Sequence, residues 1–220
     1  MKKNVLMNIT YGMYLIGSKY KNNYSGMIST TVCQSTSEPE TITVIINKDN
    51  YTHSLIEKSK IINVSILSTE TTFELIGKFG FNSGRDTDKL IGVNYIIGDN
   101  EVPIITTSMT AYIEAKVINS FDIGTHTIFL AKVTKTDDLD NKIPMTYEYY
   151  HTVIKGVSPK NAPTYSLNVD MEINNNNKYK CSTCGYIYDE DSKGNIKFEK
   201  LHENWVCPVC GMHKIGFNKM

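Results

Sequence analysis

Four cysteines near the C-terminus form two matched pairs, Cys181-Ser-Thr-Cys184-Gly185 and Cys207-Pro-Val-Cys210-Gly211, with 22 residues between them. Each C-x2-C turn can aim two thiolates at one point, and two such turns can close a tetrahedral cage of four sulfurs. So soft a cage selects zinc or iron. Zinc would make it a structural stud, iron a one-electron carrier. Either way, the end of the chain folds around a metal and the remainder must find its own core.

The residues around the cage are aromatic: Tyr179, Tyr186, Tyr188, Phe198, Phe217 and Trp205, the only tryptophan of the chain. A segment this short cannot assemble a large aliphatic core, so rings supply buried area and the metal staples the rest. Rings also keep water from the sulfurs, which tunes a reduction potential. Gly185 and Gly211 let the backbone turn tightly, so that amide N–H groups point at sulfur. The segments YKCSTCGYIYD at 179–189 and WVCPVCGMHKIGF at 205–217 resemble the two metal-binding knuckles of rubredoxins. The resemblance implies a small iron domain over 178–220, with one iron held by Cys181, Cys184, Cys207 and Cys210. Two features depart from that family. The loop from Asp189 to Asn204 is short, and seven lysines oppose five acids where rubredoxins are usually acidic. A zinc ribbon is the structural alternative.

The residues before this segment are enough for an independent domain. With 23 basic and 23 acidic side chains the net charge is zero, which argues against nucleic-acid or membrane-surface binding. No apolar run is long enough for a membrane span. Asn8 and Thr10 interrupt the start too early for a signal-peptide core, and free thiols suit a reducing compartment, so a cytoplasmic protein is expected. Strands are predicted at Tyr11–Lys19, Tyr24–Ser35, Thr41–Ile46, Ile61–Leu67, Ala111–Ser120, Thr127–Thr136 and Met145–His151. In Ala111–Ser120, Ile113, Ala115 and Val117 should face one way and Glu114 and Lys116 the other. Helices are predicted after an Asn50 cap to Lys60 and over about 71–78. Many short strands with two helices suggest a closed antiparallel barrel, hence a mainly β fold. The asparagine run 174–177 reads as a hinge within a linker at 166–177.

Three polar clusters fall at strand-to-loop junctions, where ligand sites are usual. The first, SGMISTTVCQST at 25–36, offers hydroxyls and amides to the edge of a planar ring. The second, Asn47-Lys48-Asp49-Asn50-Tyr51-Thr52-His53, runs into a helix N-terminus, whose free N–H groups suit a phosphate. The third, Phe79 to Asp86, holds Arg85, the only arginine among 23 basic residues. Its planar fork suits phosphate or carboxylate, and a surface ion pair with Asp86 or Asp88 is the alternative. His126 reads as a packed or hydrogen-bonded residue, with a ligand contact as the alternative, and Cys33 as a small buried one. No arrangement for hydrolysis stands out, and no catalytic side chain is assigned. No G-x-G-x-x-G fingerprint appears.

Taken in order, with YGMYLIGS at 11–18, GKFGFNSGRDTDKL at 77–90, GTHTIF at 124–129 and YYHTVIKGVSPKNAPTY at 149–165, these clusters resemble the flavin reductase family of FMN-binding split β-barrels. The resemblance covers about residues 5–165 and implies a flavin domain over 1–165. It implies that Ile28, Ser29, Thr30 and Thr31 line the flavin ring. Asn47, Lys48 and Thr52 would hold its phosphate, and Ser83, Gly84 and Arg85 would close over it. In the alternative for His126, the group it contacts would be the flavin or a nicotinamide. A homodimer through this domain is also implied.

Joined to a rubredoxin-like unit, the whole chain resembles the high-molecular-weight rubredoxins. A flavin takes two electrons as a hydride, and an iron centre takes one. The resemblance implies that NAD(P)H reduces FMN, FMN reduces the iron, and the iron reduces a flavodiiron protein that consumes dioxygen or nitric oxide. The alternatives are a flavin reductase whose metal domain only docks a partner, and a zinc-bound interaction protein.

Overall fold

The computed structural model describes residues 8–154, 156, 162, 177–192 and 194–220. The linker expected at 166–177 lies outside them except for Asn177.

Seven strands form one antiparallel sheet: β1 (Tyr14–Tyr20), β2 (Asn23–Ser29), β3 (Val32–Ser37), β4 (Glu40–Asn47), β5 (Ile61–Leu67) and two long strands. With β6 (Tyr95–Ile97) and β7 (Pro103–Ile105) making a separate hairpin, the long pair are β8 (Met109–Asp122) and β9 (His126–Asp138). The ladder order is β2-β1-β5-β8-β9-β4-β3, so the two outermost strands are consecutive in the chain. Laid flat, six strand spacings would separate them by about 29 Å. Only Thr30 and Thr31 join Ser29 to Val32, and three Cα steps reach at most about 11 Å. The sheet must therefore curl until its edges meet. No ladder joins β2 to β3 among the described residues, so the seam stays open there and the barrel is split at the 30–31 corner.

The alternation of the strands builds two cores. Ile16, Val44, Ile46, Ile62, Val64 and Phe129 fill the barrel together with Ile56 of helix α1 (Tyr51–Ser59). Neighbouring Leu15 faces the other way. It packs with Leu67, Met109, Leu75, Ile76 and Phe79 of α2 (Phe73–Gly80), and with Tyr147 and Tyr150 of α3 (Tyr147–Thr152). β1 is thus buried on both faces, with Leu15 and Ile16 at most 1% exposed.

As predicted, α1 follows an Asn50 N-cap, though without a side-chain cap bond, and runs up to Lys60, which closes it in the left-handed conformation. α2 is capped by Thr72, whose hydroxyl accepts the Leu75 N–H, and so starts two residues beyond the predicted position. Two expectations are corrected. Tyr24–Ser35 breaks at Thr30 into β2 and β3. Met145–His151 is a single bridging contact followed by α3, because the Thr146 hydroxyl accepts the Tyr149 N–H and the i, i+3 pair Tyr147 and Tyr150 is buried. In β8 the predicted alternation holds: Ile113, Ala115 and Val117 lie in or against the barrel core, opposite Glu114. Glu114 is also buried and accepts from the N–H groups of Asp99 and Asn100.

The C-terminal unit is a three-stranded sheet, β10 (Lys178–Cys181), β11 (Ile187–Asp189) and β12 (Phe217–Lys219), in the order β11-β10-β12. Its core is aromatic, with Phe198 stacked on Tyr179 at 4.0 Å and meeting Tyr188, Trp205 and Phe217 edge-on or tilted. Among the described residues no helix is long and apolar enough to cross a membrane.

Candidate functional site

The two cysteine turns repeat one hydrogen-bond pattern. Gly185 N–H donates to the Cys181 carbonyl at 3.0 Å, and Gly211 N–H to that of Cys207 at 2.9 Å. Cys181 N–H donates to Tyr186 O, and Cys207 N–H to Met212 O. Both turns need a positive φ, 77° at Gly185 and 73° at Gly211, which glycine adopts without strain. The four sulfurs lie within 4.8 Å of one another, with Cys181–Cys210 and Cys184–Cys207 each at 3.6 Å. Sulfurs about 2.3 Å from a central metal stand about 3.8 Å apart at tetrahedral corners, so the cage has the size a metal needs.

The electrostatics agree. Cys207 is held down to about 5 by a hydrogen bond from Cys184 and by the amide N–H groups of Cys210 and Val209. Cys184 is pushed up, first by sharing a proton with Cys207 and then by burial. Sulfurs so close and so buried cannot all ionise without a cation among them. Amide N–H groups of Tyr186 and Met212 point at Cys184 and Cys210, so the chain supplies donors for thiolates as well as the thiolates themselves.

At the other end, the fold gathers the three polar clusters around the open seam. Ser29 and Thr30 are buried at the 30–31 corner, and Ile28 and Thr31 are half-buried. Thr31 is committed, since its hydroxyl donates to Ile45 O at 2.8 Å and its N–H donates to the Ser29 hydroxyl. The Thr30 hydroxyl is buried with no hydrogen-bond partner among the described residues. An orphaned hydroxyl at the mouth of a barrel fits a ligand with polar ring edges.

The second cluster lies where β4 runs into α1. The first turn of α1 has no acidic residue and Asn50 makes no side-chain cap, so its amide donors are open to an anion. Asn47 is buried and its Oδ1 accepts the Asp49 N–H. Lys48 Nζ lies 2.5 Å from Asp122, whose carboxyl is lowered by that bond and by the Gly124 N–H. Thr52 shares a hydrogen bond of 2.9 Å with Ser25, tying the helix start to the first cluster. The third cluster folds onto both. A β-carbon on Gly84 would overlap the Ser25 hydroxyl and lie 3.4 Å from the Tyr51 ring. Arg85 is exposed, with its guanidinium 5.2 Å from the centre of the Tyr51 ring. Among the described residues it makes no ion pair with Asp86 or Asp88.

Two residues of this region carry weak sequence signals. Lys89 is 4% exposed and donates to the carbonyls of Gly26 at 2.8 Å and Phe79 at 3.0 Å; burial lowers it to about 8. A lysine in a polar loop gives no hint of such burial. His126 stands opposite Asn47 in the β4–β9 register. Its Nδ1 meets the Thr125 hydroxyl at 2.8 Å, while its buried Nε2 has no partner among the described residues. Cys33, expected to be buried, is exposed on β3, the outermost strand of the ladder order.

Comparison with known proteins gives the same two-part picture. Residues 6–158 match the family of flavin reductase like domains and residues 178–217 match rubredoxin. A solved NADH:FAD oxidoreductase of Streptomyces globisporus is similar in fold, with a TM-score of 0.59 at 19% identity over 64% of this chain and 83% of that one. A ferric-chelate reductase (NAD(P)H) of Archaeoglobus fulgidus is 40% identical, covering 71% of this chain and 93% of its own. The fold and the cysteine cage together define an NAD(P)H-dependent electron-transfer oxidoreductase, with a flavin in one domain and a single iron held by four cysteines in the other. It passes electrons to a redox acceptor.

The high molecular weight rubredoxin of Moorella thermoacetica is 39% identical over the full length of both chains. The chain belongs to the high molecular weight rubredoxin family.

Proposed function

We propose that the flavin is FMN and that residues 1–165 form its domain, 166–177 a linker and 178–220 the iron domain. The observation that carries the FMN site is the convergence of three separate chain segments near one seam, where the buried Thr30 hydroxyl has no partner among the described residues and the N-terminus of α1 has no side-chain cap. Ile28, Ser29, Thr30 and Thr31 contact the ring. Asn47, Lys48 and Thr52 hold the phosphate beside the α1 amides. Thr52 can bond Ser25 and still engage a phosphate oxygen, because a hydroxyl both donates and accepts. Ser83, Gly84 and Arg85 cover the site. A homodimer completes it: the exposed Ile118, Phe121 and Ile123 flank Asp122, the partner of Lys48, and so offer an apolar surface beside the phosphate end.

When bound, the flavin takes a hydride from NAD(P)H and the iron takes one electron at a time, so one hydride serves two ferric centres. The chain's part is to hold both groups and to exclude water from the sulfurs. We assign the acceptor as a flavodiiron protein that reduces dioxygen or nitric oxide, in the cytoplasm; the full-length match to a high molecular weight rubredoxin supports that reading. Cys207→Ser tests the order of the two centres. NADH should still bleach the flavin of the variant, while electron delivery to a purified flavodiiron acceptor falls at least a hundredfold. Undiminished delivery would remove the iron from the path.

A further inference from the structure

One face of α2 carries Phe73 and Gly77, and the C-cap residue Phe81 continues the spacing i, i+4, i+8 along the same stripe. Phe73 and Phe81 both pack against the aromatic core of the iron domain. Between them Gly77 is a notch, and Val209 fills it. A β-carbon on Gly77 would overlap Val209 Cγ1 and lie 3.1 Å from the Val209 carbonyl oxygen. Val209 is the third residue of the second cysteine turn, its N–H points at Cys207 Sγ, and it is 5% exposed. The first turn has Thr183 in the same place, half-buried, where Val209 is buried. The contact therefore distinguishes two otherwise matched turns.

The same helix reaches the other site. Gly80, about 4.5 Å further along the axis, packs against Ile28, with its β-carbon position 3.5 Å from Ile28 Cγ1. Lys89 clamps Phe79 to Gly26, two residues before Ile28. A short helix thus touches a metal knuckle at its middle and the proposed flavin wall at its end. A glycine inside a helix costs about 1 kcal/mol relative to alanine, so a glycine here that serves only the knuckle has a use outside the helix.

We propose that the Gly77 notch is the seat on which the iron domain of this chain docks to receive electrons, and that they enter the metal centre through the Val209 turn. In each event one electron leaves the reduced flavin and one ferric ion becomes ferrous; two events and the release of the flavin's proton to solvent complete the oxidation of one hydride equivalent. The inference rests on the flavin-to-iron reading above and adds the surface that effects it.

Size exchange at the contact tests it on the full-length protein. Gly77→Ala favours the helix but cannot seat Val209. The paired Gly77→Ala, Val209→Ala variant removes the overlapping methyls, leaving the two β-carbons 3.4 Å apart by the present geometry. In anaerobic stopped flow, NADH should reduce the flavin of all three proteins at one rate. Flavin-to-iron transfer should slow at least tenfold in Gly77→Ala and recover at least threefold in the pair. Solution scattering, which does not depend on turnover, should show a larger radius of gyration for Gly77→Ala and a return toward the original value in the pair. If the flavin is not bleached, or the iron of the unaltered protein stays oxidised, the functional reading itself fails. If the unaltered protein and Gly77→Ala transfer at the same rate with the same dimensions, only the docking seat is overturned.

Discussion

At the scale of single residues, the polar groups around the seam have distinct duties. Arg85 stacks over Tyr51 at the start of α1 and is exposed to solvent, so its planar cation is available to a ligand anion. Arg85→Lys keeps the charge and loses the planar fork. A charge-assisted bond is worth about 1.5–3 kcal/mol, so FMN titration should show about tenfold weaker binding or worse. Wild-type affinity would leave Arg85 without a role in the site. His53, in the first turn of α1, is buried with Nε2 2.8 Å from the Thr127 hydroxyl. Burial lowers it below the ordinary histidine range, and Glu57 opposes that only in part. Above the unfolded value of about 6.5 both states are neutral and its contribution to stability is intact. As pH falls from there through the lower folded value, the unfolded chain takes up the proton first and stability is lost. His151, also lowered by burial, acts in the same direction. Urea midpoints should fall between pH 7.5 and pH 5.5, and His53→Gln should flatten that fall; an unchanged slope would acquit His53.

At the scale of elements, α2 is held from below by Lys89, whose ammonium bonds the carbonyls of Phe79 and Gly26. Lys89→Met keeps the volume and strands two buried carbonyls. The expected loss is about 2 kcal/mol in urea unfolding at pH 7, and an unchanged midpoint would mean that neither bond contributes. Such links show where the sequence stops being readable. α1 was legible because Asn50, the apolar pair Leu55 and Ile56, and the glycine-free exit at Lys60 all act locally. α3 was not, because Tyr147-Glu-Tyr-Tyr150 has strand-forming side chains, and only the Thr146 cap and the buried i, i+3 pair make it helical. The burial of Glu114 was hidden for a related reason: its face of β8 followed from the alternation, but the 99–100 backbone that covers it comes from another segment. The cysteine cage was legible in full because metal geometry dictates its spacing. The polar clusters were legible as clusters, but their meeting at the 30–31 corner depends on the ladder order, which is a long-range property. Lys89 left no sequence mark at all.

At the scale of the whole molecule, the proposed relay puts two units that share no strand into electrical series. In that proposed relay the barrel holds the flavin at its seam and the aromatic core surrounds the iron-binding cysteines, while α2 packs against both. A tethered acceptor makes transfer a property of the assembled protein, so its rate should not depend on protein concentration. One flavin and one iron hold three electrons per chain, equivalent to about one and a half molecules of a two-electron donor. The most direct test is therefore anaerobic stopped-flow reduction of the intact protein with NADH or NADPH, read at the flavin and ferric-thiolate bands and repeated over a range of concentrations. The prediction is loss of the flavin band followed by loss of the ferric band, an endpoint of about one and a half equivalents, and a second-phase rate that is flat in protein concentration. An endpoint of one equivalent with the ferric band intact, or a second phase that rises in proportion to concentration, would contradict a flavin-to-iron relay within the assembled protein.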